Sequence, residues 1–339
     1  MPEKEIKVNL KRLVVSVLVG AVLIVLALLL LSKENLAGMV NAILSANYVF
    51  VLSAIGIYFF GLALWSTRWK MILASAGHKT RLSKLYPIQL SGVFINNVTP
   101  FTYSGGDPIA RTYLLRKTMK VPYSCGLATM IGEFVMDFPI FFSFLILGLV
   151  LGLGTLSAPM LIVMFVAWMC VLFVFMSLAP RAFCRLNHPK IAHLIYRVLK
   201  AIKKPKSKAE VRHTLDRFIK PLRMIVRNRF TLPVAFISIM IWMVITMRYL
   251  LIFEALGVHP PIPMLLMTLT LPAIVGLIPL LPGGLGTVDF TYYSIFTLFG
   301  VPQSTALSAI LVERMITFVL GIVVGAIALS YVGVKVWKK

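Results

Sequence analysis

"PLLPGGLGTVDF", Pro279 to Phe290, places three glycines, two prolines and an aspartate inside an otherwise oily chain. Gly283, Gly284 and Gly286 let a backbone turn tightly and approach a ligand closely, and Thr287 is the expected N-cap of a helix that leaves the turn. A second stretch, "SGGDPIARTY" from Ser104 to Tyr113, has the same character. There Gly105 and Gly106 make the turn, Asp107 is the expected cap, and Pro108 occupies the first helical position, where proline is favoured.

The surroundings of these breaks are apolar. Of 339 residues 59% are hydrophobic and 13% charged, and mean hydropathy is +0.93, far outside the range of soluble globular chains. Runs at 13–31, 47–67, 122–152, 157–179, 231–256 and 302–332 are each long enough to cross a ~30 Å hydrocarbon slab as helix. Nothing alternates with the period of a barrel strand. The run at 13–31 is too long for the apolar part of a signal peptide and is read as a retained span.

Two further segments, 85–118 and 263–299, each divide at a glycine break into a pair of limbs. Return limbs at 107–118 and 287–299 would reach only about 18 to 20 Å, short of the slab. A hairpin that enters, turns near mid-depth and leaves by the same side fits them, with its tip in protein or a wet cavity. The expected fold is therefore all-α and polytopic, with six spanning helices plus two re-entrant helical hairpins.

Charge orients this arrangement. It places every lysine and arginine except Lys33, Arg248 and Arg314 on one side, which predicts a multi-pass cell-membrane protein with both termini cytoplasmic. The net charge of +23 has this topological origin, and no nucleic-acid partner is expected. Cys125, Cys170 and Cys184 form no CxxC pair and the five histidines show no ligand spacing, so no disulfide frame, metal or cofactor is expected. The segment 181–230 reads as two basic amphipathic helices, suited to anionic inner-leaflet lipid or to the protein's own cytoplasmic face.

A shift of 180 residues superposes the chain on itself. Arg68 falls on Arg248, Gly77 on Gly257, Gly106 on Gly286, Tyr113 on Tyr293, Val121-Pro122 on Val301-Pro302, Glu133 on Glu313 and Phe138 on Phe318. The first copy has basic flanks and the second almost none, which predicts copies of opposite orientation, an inverted-topology repeat with substrate at the repeat interface. The domain plan is 1–46 for the N-terminus and first span, 47–180 for repeat 1 and a following span, 181–230 for the basic segment and 231–339 for repeat 2.

Chemistry is expected where polar groups lie deep. Both return limbs aim their N-termini at the middle of the protein, where free N–H groups and the positive dipole end suit a phosphate or carboxylate; a turn that merely closes the hairpin is the plainer reading. Glu133 lies about 16 Å along its helix from Val121-Pro122, with Asp137 one turn on, and Glu313 repeats that position with Arg314 beside it. Asp289 follows the second tip and Arg111 the first. Burying such groups costs at least ~2.5–3.5 kcal/mol each, so they should face one another or water. Structural ion pairing, such as Arg314 with a carboxylate of the other copy, explains some of them. Five carboxylates (Asp107, Glu133, Asp137, Asp289, Glu313) against Arg111 and Arg314 leave an acidic surplus that could meet a cationic headgroup. Arg248, near a helix end, is read as snorkelling.

"TPFTYSGGDPIARTYLL" at 99–115, "PGGLG" at 282–286, "GVP" at 300–302 and "VER" at 312–314 together resemble the lysylphosphatidylglycerol synthase transmembrane, or flippase-like, family, of the UPF0104 type, which includes the N-terminal membrane region of the MprF proteins. The resemblance implies movement of phospholipids, such as aminoacylated phosphatidylglycerol, between leaflets. Two features depart from it. The Glu-Arg pair usual in the family's first copy is Glu133-Phe134 here, and the chain ends just after its last apolar run, so aminoacyl-lipid synthesis is not expected.

The leading expectation is a transporter, not an enzyme, that binds a phospholipid or polyprenyl-phosphate headgroup in a polar mid-membrane cavity. The alternatives are an intramembrane enzyme on a lipid-linked substrate, with Glu133 or Glu313 as general base, and an ion-coupled solute carrier. No ATP site is visible, so energy would come from gradients or from the lipid's own distribution. Self-association into a homo-oligomer is left open.

Overall fold

The computed structural model describes residues 33–99, 106–152, 231–278 and 282–333. The expected spans at 13–31 and 157–179, the basic segment 181–230, Gly105 and both termini lie outside the described residues.

Among the described residues the chain is helical throughout: α1 (Lys33–Leu44), α2 (Tyr48–Ser75), α3 (Leu82–Val98), α4 (Gly106–Met119), α5 (Tyr123–Gly152), α6 (Thr231–Ala255), α7 (Ile262–Val275) and α8 (Thr287–Leu298), then α9 (Gln303–Tyr331). Four of them, α2, α5, α6 and α9, are long and apolar enough to cross a membrane. Their outward faces carry exposed Leu52, Phe60, Phe138, Phe236 and Ile327, which in lipid carry no penalty. The helix α1 occupies residues expected to be an outer loop. It forms because it has a partner: Gly38 approaches Ser304, and Ser308 Oγ donates to the Met39 carbonyl at 3.2 Å.

Helix ends recur at the 180-residue interval. Residues 82 and 262 open α3 and α7, 123 and 303 open α5 and α9, and 75 and 255 close α2 and α6. The stop signal is the same in both copies. Gly77 (φ 89°) and Gly257 (φ 73°) take the left-handed conformation past α2 and α6, and the next amides, His78 and Val258, reach back to the carbonyls of Leu73 and Phe253 at 2.9 and 3.0 Å. Both long helices are also interrupted at a matching place. In α5 the interruption is Pro139, and in α9 a π turn over Met315–Leu320.

Packing follows the same interval. The counterparts α2 and α6 lie side by side and antiparallel: the Asn47 amide donates to the Ala255 carbonyl at 2.8 Å, Gly61 abuts Val244, and Arg68 donates to Ser238. The first limb of each pair packs on the long helix of the other copy, α3 on α9 and α7 on α5. Glycines make these crossings close. A Cβ at Gly325 would lie 2.6 Å from the Leu90 carbonyl, and one at Gly148 would lie 3.1 Å from Leu266 Cβ.

Two large apolar cores result, with many of their residues at matched positions, and a small third one on Leu62, Leu90 and Ala328. Trp69, Ile72, Leu73, Leu85, Leu115, Val121, Met130 and Met136 belong to one; Tyr249, Ile252, Phe253, Leu265, Ile295, Val301, Ile310 and Ile316 belong to the other. Each large core also takes residues from the opposite copy's first long helix, the buried one being Val234 in one and Ala54 in the other.

The paired limbs α3–α4 and α7–α8 contain 17, 14, 14 and 12 residues, about 18 to 26 Å at 1.5 Å per residue. Each limb is shorter than the slab. At the second break the helix that leaves is capped by Gly286, with Thr287 as its first residue; the cap moves one residue from the expected threonine because Gly286 adopts φ 81°. In the first break α4 already includes Gly106 and Asp107, so Asp107 lies in the first turn.

Candidate functional site

Two clusters of charge are buried between these helices, one per copy. The first is built on α2, α4 and α5. Arg68, fully buried on α2, forks onto both oxygens of Asp137, with Nη2 2.9 Å from Oδ2, and its Nη1 also donates to Ser238 Oγ at 2.9 Å. Trp242 Nε1 donates to the same carboxylate at 3.3 Å. Arg111 on α4 is the second hub. Its Nε donates to Asp107 Oδ2, Nη1 to Gln89 Oε1 and Nη2 to Glu133 Oε2, each at 2.9 Å. Its guanidinium stands 5.0 Å over the Trp69 ring, and that indole is fixed by Thr129 Oγ1 at 3.1 Å. Glu133 lies 4.0 Å from Arg68 and so joins the two hubs.

A glycine makes this geometry attainable. On α3, Gly92 faces the start of α4, and a Cβ there would come within 2.0 Å of Asp107 Oδ1 and 2.9 Å of Arg111 Cγ. Only a residue without a side chain admits the Asp107–Arg111 pair against α3.

The second cluster lies on α6, α8 and α9. Arg248 Nη2 pairs with Glu313 Oε1 at 2.8 Å, its guanidinium flanked by the Tyr58 and Tyr249 rings at 5.5 and 5.1 Å. The Tyr249 hydroxyl donates to Glu313 Oε1 at 3.2 Å and lies 2.6 Å from the Tyr292 hydroxyl. Arg314, one residue on, turns to the break instead. It pairs with Asp289 and donates to the Gly283 carbonyl at 2.9 Å. Asp289 in turn accepts from the Gly286 amide at 2.9 Å. The left-handed turn through Gly283 and Gly284 (φ 64° and 66°) strands carbonyls in the interior, and Arg314 satisfies them.

The two copies meet at the breaks. Asn97, at the end of α3, donates to the Thr317 carbonyl at 2.9 Å. Its own carbonyl lies 3.4 Å from where a Cβ of Gly283 would stand, and the Phe318 ring closes the other side at 2.5 Å.

The sequence-predicted residues thus fall into two groups. Asp107, Arg111, Glu133 and Asp137 come together in the first, and Gly283, Gly284, Gly286, Asp289, Glu313 and Arg314 in the second, with Thr287 beside the turn, its Oγ1 3.5 Å from the Gly284 carbonyl. Three expectations need correction. Arg248 does not snorkel, because Glu313 holds it in the interior. Arg314 pairs within its own copy. Arg68, counted with the cytoplasmic charges, is fully buried. With Arg68 and Arg248 included, four arginines face the five carboxylates, and the acidic surplus shrinks to one charge. The overlooked partners, Gln89, Trp69, Ser238, Trp242, Tyr249 and Tyr292, are ordinary interior residues in sequence. The superposition of Arg68 on Arg248 was the one available signal for the two missed arginines.

A polytopic helical membrane protein with two matched, buried arginine–carboxylate clusters is the class that fold and site define. Residues 13–325 match the family of the lysylphosphatidylglycerol synthase TM region, and the chain belongs to that family. It is 32% identical over 338 residues to a UPF0104 membrane protein of Methanothermobacter thermautotrophicus, covering 94% of this chain and 97% of the relative. A UPF0104 membrane protein of Methanocaldococcus jannaschii is 23% identical, covering 92% and 93%, and one of Pyrococcus horikoshii is 23% identical, covering 90% and 93%. No solved structure matches.

Proposed function

We propose that the protein moves a phosphate-bearing membrane lipid, a phospholipid (aminoacylated forms included) or a polyprenyl phosphate, between the leaflets of the cell membrane, with its headgroup passing between the two buried charge clusters. The observation that carries this reading is the antiparallel pairing of α2 with α6, each bearing a buried arginine at the matching position, Arg68 and Arg248. Two counterparts that run in opposite senses and interleave their short limbs support an inverted-topology repeat, whose alternate states expose the middle to one leaflet and then the other. Buried arginines and carboxylates inside spans are costly, and in this reading that cost serves a headgroup path.

Asp289 has the position an arriving phosphate would take. It accepts from the Gly286 amide at the start of α8 and pairs with Arg314, which are the donors a helix N-terminus and an arginine offer an anion. The headgroup phosphate competes with Asp289 for them, while the lipid tails stay in the bilayer. Membership of a family named for a lipid synthase's transmembrane region supports a lipid substrate. Purified protein in vesicles carrying headgroup-labelled phospholipid tests the proposal. Label in the inner leaflet should become accessible to an impermeant quencher in the wild type and far more slowly with Glu313→Gln. Equal rates in protein-containing and empty vesicles would reject it.

A further inference from the structure

The first cluster does not balance. Asp137 takes both arms of the Arg68 fork, with Glu133 only 4.0 Å from the same guanidinium. Asp107 and Glu133 must share the other: Asp107 Oδ2 lies 2.8 Å and Glu133 Oε2 2.9 Å from the same nitrogen, Arg111 Nη2. Their bound oxygens are therefore at most about 6 Å apart, within the range where two carboxylates oppose each other's ionisation. The remaining oxygens, Asp107 Oδ1 and Glu133 Oε1, are buried and have no partner, and Glu133 is only 4% exposed. Among the described residues, the other polar groups beside the pair are uncharged or already used. From α3 comes Gln89, spent on Arg111; from α4, Thr112; from α2, Arg68 and Trp69; from α5, Asp137 and Thr129; from α6, Ser238 and Trp242. The second cluster, by contrast, pairs Arg248 with Glu313 and Arg314 with Asp289 one to one.

We propose that the Asp107–Glu133 pair is a proton site: one exchangeable proton is carried by one or the other carboxyl group, and its binding and release accompany the transport cycle. The ligand is a proton and not a metal cation, because a metal ion needs several oxygen ligands around an unobstructed centre, whereas Arg111 already stands between these two. The link to transport rests on the lipid-moving function proposed above. The protonation itself does not.

Infrared spectroscopy of the full purified chain in detergent at neutral pH tests the site independently of transport. A carboxylic-acid C=O band that shifts in D2O is expected in the wild type. It should vanish in Asp107→Asn and equally in Glu133→Gln, since in either variant the remaining carboxylate has Arg111 to itself and ionises. Two conservative variants guard against one failing to fold. No such band in the wild type, or a band that survives in either folded variant, overturns the proposal. Vesicles with an imposed pH gradient then test coupling. Lipid movement in the wild type should change several-fold with the gradient, and in Asp107→Asn should not respond to it; a response retained in the variant also overturns the proposal. A band with the expected behaviour in a protein that moves no lipid would leave the proton site standing and remove the transport reading instead.

Discussion

Replacing Arg248 by methionine isolates the energetics of the second cluster. Arg248 and Glu313 lie 2.8 Å apart with side chains 10% and 7% exposed, so the guanidinium leaves behind a carboxylate that water barely reaches. Breaking a buried pair from one side costs about 3–5 kcal/mol. The stranded Glu313 can take up a proton and keeps the Tyr249 hydroxyl, which brings the loss towards the ~2.5–3.5 kcal/mol of a lone charge in a span. A loss near ~3 kcal/mol is expected, on the order of a hundredfold in the folding equilibrium. The double variant Arg248→Met/Glu313→Met replaces the pair with apolar chains of similar volume and should recover most of that stability. It should still fail to move lipid, because the charges it lacks belong to the headgroup path. Thermal unfolding in detergent, compared at several scan rates because such unfolding is commonly irreversible, gives the stabilities, and vesicles give the transport. A single variant within about 0.5 kcal/mol of wild type, or a double variant no better than the single, would refute the burial and pairing described.

Other variants test the close approaches. Gly92→Ala puts a methyl group against Asp107 Oδ1 and should cost about 1–3 kcal/mol by overpacking, read as a lowered Tm. Gly283→Ala meets both a left-handed backbone and the Phe318 ring; the backbone alone costs about 1–2 kcal/mol, so adding Phe318→Ala should relieve the clash yet leave the protein below wild-type stability. Gly325→Val drives side-chain bulk into α3 at Leu90 and Phe94 and should abolish a cysteine crosslink engineered between α3 and α9. Arg314→Lys keeps the charge but loses the planar fork that reaches both Asp289 and the Gly283 carbonyl; slower lipid movement with Tm lowered by a few degrees is the expected result.

Much of this was legible in the sequence because membrane burial leaves few polar residues, and each must be accounted for. The spans starting near Val121-Pro122 and Val301-Pro302 and the one ending near Gly257 were readable because glycine and proline act locally, through φ and the missing amide; the run at 47–67 stopped short of Gly77, the glycine that follows α2. Glu133 and Glu313 stood out as carboxylates in apolar runs. What was not readable is pairwise. Whether Arg314 faces its own copy or the other depends on the rotamer it adopts beside Gly283 and Asp289, and no periodicity encodes that. The fate of Arg68 turned on whether α2 extends past it, and the structure carries α2 to Ser75, burying Arg68 about two turns before its end; that of Arg248 turned on its pairing with Glu313. The helix at Lys33–Leu44 was missed because its reason for existing, α9, lies more than 250 residues away.

The proposed opposed orientation of the two copies in the membrane underlies the transport reading, and one pair of positions reports it directly. Lys79 and His259 occupy equivalent exposed places in the α2–α3 and α6–α7 connections, 180 residues apart. Single cysteines there, in a background with Cys125, Cys170 and Cys184 replaced, can be probed in intact cells with a membrane-impermeant maleimide. Labelling is expected at 259 from outside and at 79 only after the membrane is opened. Labelling of both from the same side would contradict it.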